Sequence, residues 1–284
     1  MKKIKVAIIG AGPAGIACAI QLKRYKIDFV IFERNEPGGL LRNAYLVENY
    51  PGFPEGIKGE KLVSLFCKQL EVNRITPVYE DVKNVIYDKN FVIKTNNRLY
   101  QSKILVIASG TMPKKFDITL PPDSESKIFY EIVHLKTTGN ATIAIIGAGD
   151  AAFDYALSLC QRNKVYLLNR TRIHKCLPLL FQKAMKNKNI KYVKEFELVT
   201  IQLKNKKLVL HSKNKELISV DYLVVAIGRE PNLDFLDKKL EIEILEKNKK
   251  LYMIGDVKNG LFRQTAIAVG EGIKTAMEIS MGDS

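Results

Sequence analysis

Apolar positions along the chain gather into short continuous runs, and two of these runs open the same pattern. In Ile4-Lys-Val-Ala-Ile-Ile9 the β-branched residues suit a buried parallel strand, and Gly10-Ala-Gly12-Pro13-Ala14-Gly15 then turns the chain into an apolar helix. Thr142-Ile-Ala-Ile-Ile146 repeats the arrangement ahead of Gly147-Ala-Gly149-Asp150-Ala151-Ala152. Further strands are predicted at Phe29-Val-Ile-Phe-Glu33, over 78–87 and 90–95, at Ile104-Leu-Val-Ile-Ala108, at Lys164-Val-Tyr-Leu-Leu168 and at Tyr222-Leu-Val-Val-Ala-Ile227. The Gly/Pro-rich passage 37–59 reads as loop, and apolar spacing over 60–70 as helix. This alternation predicts an α/β class built from two Rossmann-like, three-layer dinucleotide-binding domains. Similar strand-to-glycine exits at Gly110 and Gly228 bracket the second glycine unit, which predicts one nucleotide domain (113–228) inserted into another (1–112 and 229–284).

The glycines carry the candidate chemistry. The first of each set permits the turn, the second lets backbone approach a pyrophosphate, and the third, replaced by Ala152 in the second copy, lets helix pack on strand. Free N–H groups and the helix dipole would hold the phosphates. After the first turn, the second strand ends in Glu33, where a carboxylate binds a ribose diol. After the second, it runs into Asn169-Arg170-Thr-Arg172-Ile-His174-Lys175, so cations stand where the acid would be. Arginine accommodates a 2′-phosphate, which favours NADPH. NADH is the alternative, with the cations following only from a chain rich in Lys and Arg.

That richness is large: 45 Lys and Arg against 30 Asp and Glu, a net charge of +15. Such a charge could attract acidic proteins, nucleic acid or membrane surfaces. The basic residues are spread through pieces such as 183–191 and 204–207 without aromatic interleaving, so no nucleic-acid partner is expected. No run approaches the roughly 20 apolar residues of a membrane span. The opening Met-Lys-Lys-Ile-Lys imitates a secretory signal, but the glycine turn inside the apolar stretch points to strand and helix. Four cysteines, Cys18, Cys67, Cys160 and Cys176, show no C-x-x-C or metal-ligand spacing, and three histidines are too few for a cluster. No metal site and a reducing, cytoplasmic setting are expected. Cys18 and Cys160, each on the helix after a glycine turn, read as small buried residues.

Over nearly the whole chain these residues resemble the two-dinucleotide-fold flavoprotein reductases of the thioredoxin-reductase type. The resemblance implies an FAD site at Gly10, Gly12, Pro13, Ala14 and Gly15 with Glu33 and Arg34, then Glu36-Pro-Gly-Gly39-Leu40 and Gly110. Glu48-Asn49-Tyr-Pro-Gly-Phe-Pro-Glu-Gly56 is similar to the stretch beside the isoalloxazine. Gly255-Asp256 with Arg263-Gln264-Thr265 resembles the C-terminal FAD segment, in which the Asp would bind the ribityl chain and the following helix would face the flavin. As local readings, Asp256 could cap the last helix and Asn49 could be a turn residue. The implied NAD(P) site comprises Gly147, Gly149, Asp150, Ala151, Ala152, Arg170, Arg172, Lys175 and Gly228.

The departure lies where thioredoxin reductases carry their redox C-x-x-C: here the stretch reads Tyr130-Glu-Ile-Val133-His134, with no dithiol to attack a disulfide. Tyr130-x-x-Val133 and Gly149-Asp150-x-Ala152-x-Asp154-Tyr155-Ala156-Leu157 instead resemble ferredoxin/flavodoxin–NADP reductases on the same scaffold. Those enzymes usually extend past the last helix, whereas this sequence stops at Gly282-Asp-Ser284, which implies a more open flavin face. The resemblance implies a homodimer that passes electrons from NADPH through FAD to a ferredoxin, a flavodoxin or a similar acidic carrier. The alternatives are a diaphorase or oxidase acting on quinones, free flavin or oxygen, and a non-catalytic dinucleotide-binding homologue. No general acid, base or nucleophile is required. Tyr130, as a cover for the flavin, and His134, as a proton donor, are candidates against plain packing or surface.

Overall fold

The computed structural model describes residues 1–282, so Asp283 and Ser284 of the terminal reading lie outside it. The chain divides into two compact units. Met1–Arg42, Val47–Met112 and the chain from Glu230 on form the first; Asn43–Leu46 and Pro113–Arg229 form the second. Residues 43–46 and Arg229, which the sequence boundaries put in the first domain, therefore cluster with the second.

The first unit opens with β1 (Lys2–Ile9), α1 (Pro13–Arg24) and β2 (Phe29–Phe32), a parallel βαβ element in which Val6, Ala7 and Ile8 are fully buried. A strand covered on both faces has no polar side to alternate, which is why the run is continuously apolar. After α2 (Gly59–Val72) come β3 (Val82–Asp88), β4 (Asn90–Thr95) and β5 (Leu99–Ile107), an antiparallel meander whose last strand lies parallel to β1. The strand predicted from residue 78 begins only at Val82. Val78 is drawn off to the β2 edge, its N–H donating to the Ile31 carbonyl at 2.8 Å and its carbonyl accepting from Glu33 at 3.0 Å. β6 (Thr111–Pro113) leads out of this unit.

In the second unit, β7 (Ile128–Phe129), β8 (Thr142–Ile146), α3 (Asp150–Leu159), β9 (Lys164–Leu168), α4 (Pro178–Met185) and β10 (Ile190–Val193) precede a meander of β11 (Leu198–Lys204), β12 (Lys207–Ser212) and β13 (Leu217–Val220). β14 (Tyr222–Val225) completes a parallel sheet of order β10-β9-β8-β14-β7. Sequence pattern did not single out the meander. Its β11–β12 turn is the two-residue Asn205-Lys206, both at positive φ (50° and 62°), a primed hairpin without its usual glycine. β15 (Arg229–Pro231) leads back, and α5 (Ile242–Lys247), β16 (Leu251–Met253) and α6 (Thr265–Met281) finish the first unit, with β16 paired to β5. No helix among the described residues is long and apolar enough to cross a membrane.

Residues 43–46 join the second unit because buried polar groups must find partners, and theirs are there. The Asn43 side chain is buried; its Oδ1 accepts from the N–H groups of Ile132 (2.9 Å) and Val133 (3.2 Å), and its Nδ2 donates to Glu131 (3.2 Å). Glu131 is paired with Arg229 at 3.3 Å. The Tyr45 N–H donates to Asp154 Oδ2 at 2.8 Å. Burial pushes the Asp154 carboxyl up from 3.8 to about 6, with Asp150 adding to the rise and the Tyr45 and Leu46 N–H groups and Lys136 opposing it.

An acid whose folded pKa is raised binds its proton more tightly in the folded state, so its contribution is greatest below the unfolded value and is lost as pH rises toward the folded one. Chemical denaturation of the protein and of Asp154→Asn should therefore show their stability difference moving against wild type between pH 3.8 and about 6, then levelling. A difference that moves in favour of wild type over that window would contradict the burial-dominated carboxyl.

Candidate functional site

The first glycine turn is set by the strand beside it. The Gly10 N–H donates to the Phe32 carbonyl at 2.9 Å and φ is +102°; a side chain there would drive its Cβ into the Ala108 carbonyl at the end of β5. Gly15 is equally constrained, since its Cβ would meet the Gly10 carbonyl as α1 packs on the turn. Gly12 differs. It has an ordinary φ of −75°, and nothing lies within 4 Å of where its Cβ would be. Neither conformation nor packing of the chain calls for a glycine at that point, which fits a group bound against the bare backbone.

The other predicted FAD residues of this unit gather at the same end of the sheet. Glu33 is fixed at the mouth of the turn, Oε2 accepting from the Ala11 N–H (2.9 Å) and Oε1 from the Asn35 N–H (3.0 Å). The Gly38 N–H donates to the Ala11 carbonyl at 2.7 Å, which folds the Pro37–Gly39 loop onto the turn, with Gly39 against Gly12. Pro13 and Ala14 open α1; Arg34 is exposed and Leu40 half-buried. Gly110, at φ +65°, follows Ser109, whose Oγ donates to the Asn232 carbonyl at 2.6 Å. Gln264 stands at the head of α6, with Thr265 its first residue and Arg263 half-buried before it. The Asn49 Nδ2 donates to Gln264 Oε1 at 2.8 Å, so the loop and the helix head are joined. Gly255 and Asp256 form a short 3-10 turn. Glu271, which the resemblance places in the Gly270-Glu-Gly272 part of the C-terminal FAD segment without a role of its own, holds that turn: its Oε2 accepts from the Gly255 N–H (2.6 Å) and the Asn259 Nδ2 (2.9 Å).

The second turn repeats the geometry. The Gly147 N–H donates to the Leu168 carbonyl at 3.0 Å, φ is +138°, and a Cβ would run into the Ala226 carbonyl at the end of β14. Gly149 has φ −97° and again open space around it. Ala152 is buried under the turn and Ala151 exposed on it. Loop 169–177 folds back over this turn, the Leu177 N–H donating to Asp150 Oδ1 and the Lys175 N–H to the Ala148 carbonyl, each at 2.8 Å. Gly228, at φ +116°, accepts through its carbonyl from the Lys114 N–H at 3.1 Å.

Where the first unit has Glu33, the second has Asn169. It is buried and spent on its own loop: Oδ1 accepts from the Thr171 N–H at 3.1 Å, and Nδ2 donates to the Ile173 carbonyl (3.1 Å) and the Tyr192 hydroxyl (2.8 Å). Arg170 is exposed. Arg172, read from sequence as a second ligand for a 2′-phosphate, is exposed and ion-paired through Nε with Glu195 at 2.9 Å.

Residues 130–134 hold no thiol. Tyr130 packs on the core around Ala144 and Leu223, and His134 is exposed. All four cysteines are free, and burial pushes every thiol up, Cys18 to about 12 and Cys176 to about 11. The thiolate that would attack a disulfide is thereby disfavoured at all four.

A family model of the pyridine nucleotide-disulphide oxidoreductases matches residues 4–272. A protein of Clostridium pasteurianum described as a 34.2 kDa protein in the rubredoxin operon is 28% identical over 97% of this chain and 96% of its own. The ferredoxin–NADP reductase of Lactobacillus gasseri is 30% identical over 96% of this chain and 92% of its own. Among solved structures, Lactococcus lactis thioredoxin reductase in its FR conformation superposes with a TM-score of 0.87 at 26% identity, covering 98% of both chains. The chain belongs to the pyridine nucleotide-disulphide oxidoreductase family, as a thioredoxin-reductase-like oxidoreductase that uses FAD and NADPH.

Proposed function

We propose that this chain passes electrons from NADPH through FAD to a ferredoxin, a flavodoxin or a similar small acidic carrier, without a dithiol relay. The observation that carries the reading is the stretch 130–134. It has no cysteine, and the Ile132 and Val133 N–H groups are given to the buried Asn43. The relative named ferredoxin–NADP reductase supports it, as does the one named for a rubredoxin operon.

In this reading the first turn holds FAD: the Gly10 to Gly15 backbone at the pyrophosphate, Glu33 at the ribose, and the Gly39, Asn49, Asp256 and Gln264 cluster toward the flavin. The second turn holds NADPH, with the Gly147 to Ala152 backbone at its pyrophosphate and Arg170, Arg172 and Lys175 toward its 2′-phosphate. Bound FAD supplies hydride acceptance and stepwise electron release. The chain's part is electrostatic. The head of α6 presents N–H groups and the positive end of its dipole, which favour negative charge placed there. The net charge of +15 favours encounter with acidic carriers. The same reading makes the protein a cytoplasmic homodimer, in accord with its free cysteines.

Under anaerobic conditions NADPH should bleach the yellow holoprotein, and reduced protein should be reoxidised faster by ferredoxin or flavodoxin than by menadione or air. Preferential reoxidation by menadione or air would favour the diaphorase reading, and failure of NADPH to bleach the flavin would overturn both. Serine is a good residue at a helix N-cap, so Gly12→Ser and Gly149→Ser should each leave the apoprotein within about 1 kcal/mol of wild type. By calorimetric titration Gly12→Ser should nevertheless weaken FAD binding by about tenfold or more, and Gly149→Ser should do the same to NADPH while retaining FAD. Unchanged affinities would show that neither backbone meets its ligand.

A further inference from the structure

We propose that Glu195 sets the dinucleotide preference of the second glycine turn by competing with the ligand's 2′-phosphate for Arg172. The proposal rests on that turn binding NADPH and goes beyond it to the residue that tempers the choice against NADH.

Glu195 is held in place by backbone. β9 and β10 run parallel with Leu168 beside Val193, so the residues after both strands leave the sheet at the same edge. The Asn169 N–H donates to the Val193 carbonyl (2.9 Å), the Phe196 N–H donates to the Asn169 carbonyl (2.9 Å), and the Glu195 N–H reaches the Thr171 carbonyl (3.4 Å). Residues 194–196 are thereby laid across loop 169–172. The side chain then meets Arg172, Oε1 lying 2.9 Å from Nε.

Two further facts make this pair more than a fold contact. Its side chains are 79% and 50% exposed, so it adds little to folding and is open to exchange with another anion. Glu195 also sits at φ +58°, where glycine or asparagine is more at ease, so the backbone does not select a glutamate. What the carboxylate does is take the Nε side of the guanidinium and add a negative charge at the edge where Arg170 and Arg172 emerge. A 2′-phosphate entering that edge must share Arg172 with it and remain near it. A 2′-hydroxyl meets no such repulsion and can donate a hydrogen bond to it.

The test uses FAD-saturated protein, so that only the second turn is open, and measures by calorimetry the binding of 2′,5′-ADP and of ADP. Glu195→Gln should tighten 2′,5′-ADP by roughly 3- to 10-fold and leave ADP within about 2-fold. The gain should vanish in Glu195→Gln combined with Arg172→Ala, because the freed guanidinium supplies it. An unchanged ratio of the two affinities in Glu195→Gln would overturn the proposal while keeping the site, as would a gain that survives loss of Arg172. Wild-type protein that binds neither nucleotide would overturn the reading of the turn itself, and the proposal with it.

Discussion

A carbonyl at the end of a parallel strand, pressed against a glycine with no Cβ, is the contact on which both units are built. Ala108 faces Gly10 in one and Ala226 faces Gly147 in the other. Any side chain at either glycine would push the turn off the neighbouring strand. The contact therefore fixes where each first strand stops and how soon its helix begins. The opening N–H groups of that helix, without partners in the helix itself, are thereby left at the mouth of the sheet. Gly12 and Gly149, next in each turn, are bare although the chain does not need them to be. The steric demand of the fold thus falls on Gly10 and Gly147, and the proposed phosphate contact on the glycines two residues further on.

From a common frame, the two turns diverge at one position. Glu33 turns its carboxylate back to the first turn, where it receives the Ala11 N–H. Asn169 turns inward to close its own loop, and the arginines on that loop's surface, with Glu195 opposite, are the groups proposed to read the second ligand. A further divergence separates the chain from thioredoxin reductases. The stretch that holds a dithiol there is here a polar junction of Asn43, Glu131 and Arg229, closed by hydrogen bonds that need no redox change.

Both βαβ elements, the buried strands β8 and β9 and the grouping of Glu33 with the first turn were legible in the sequence because their causes are local. Apolar runs, glycine spacing and a charge at a strand end all lie within one supersecondary unit. What the pattern left unread depends on partners far along the chain. Asn43 meets residues 131–133, Asp154 meets Tyr45, and Glu271 meets Gly255 across the head of α6. Glu195 was invisible for the same reason, since nothing in Lys194-Glu195-Phe196-Glu197 marks it as the partner of Arg172. The β11–β13 meander escaped because its Asn205-Lys206 turn lacks glycine. Arg172 was read from its place after β9 as a ligand for a 2′-phosphate, and only the neighbouring strand end shows its ion pair with Glu195.

Under the proposed function the flavin is the only redox store in the chain. Anaerobic titration of the FAD-loaded protein with NADPH, followed by absorbance, counts the electrons it takes up. A chain without a dithiol should be fully reduced by about one equivalent of NADPH per FAD. Uptake of about two equivalents, as a flavin coupled to a disulfide requires, would contradict the account.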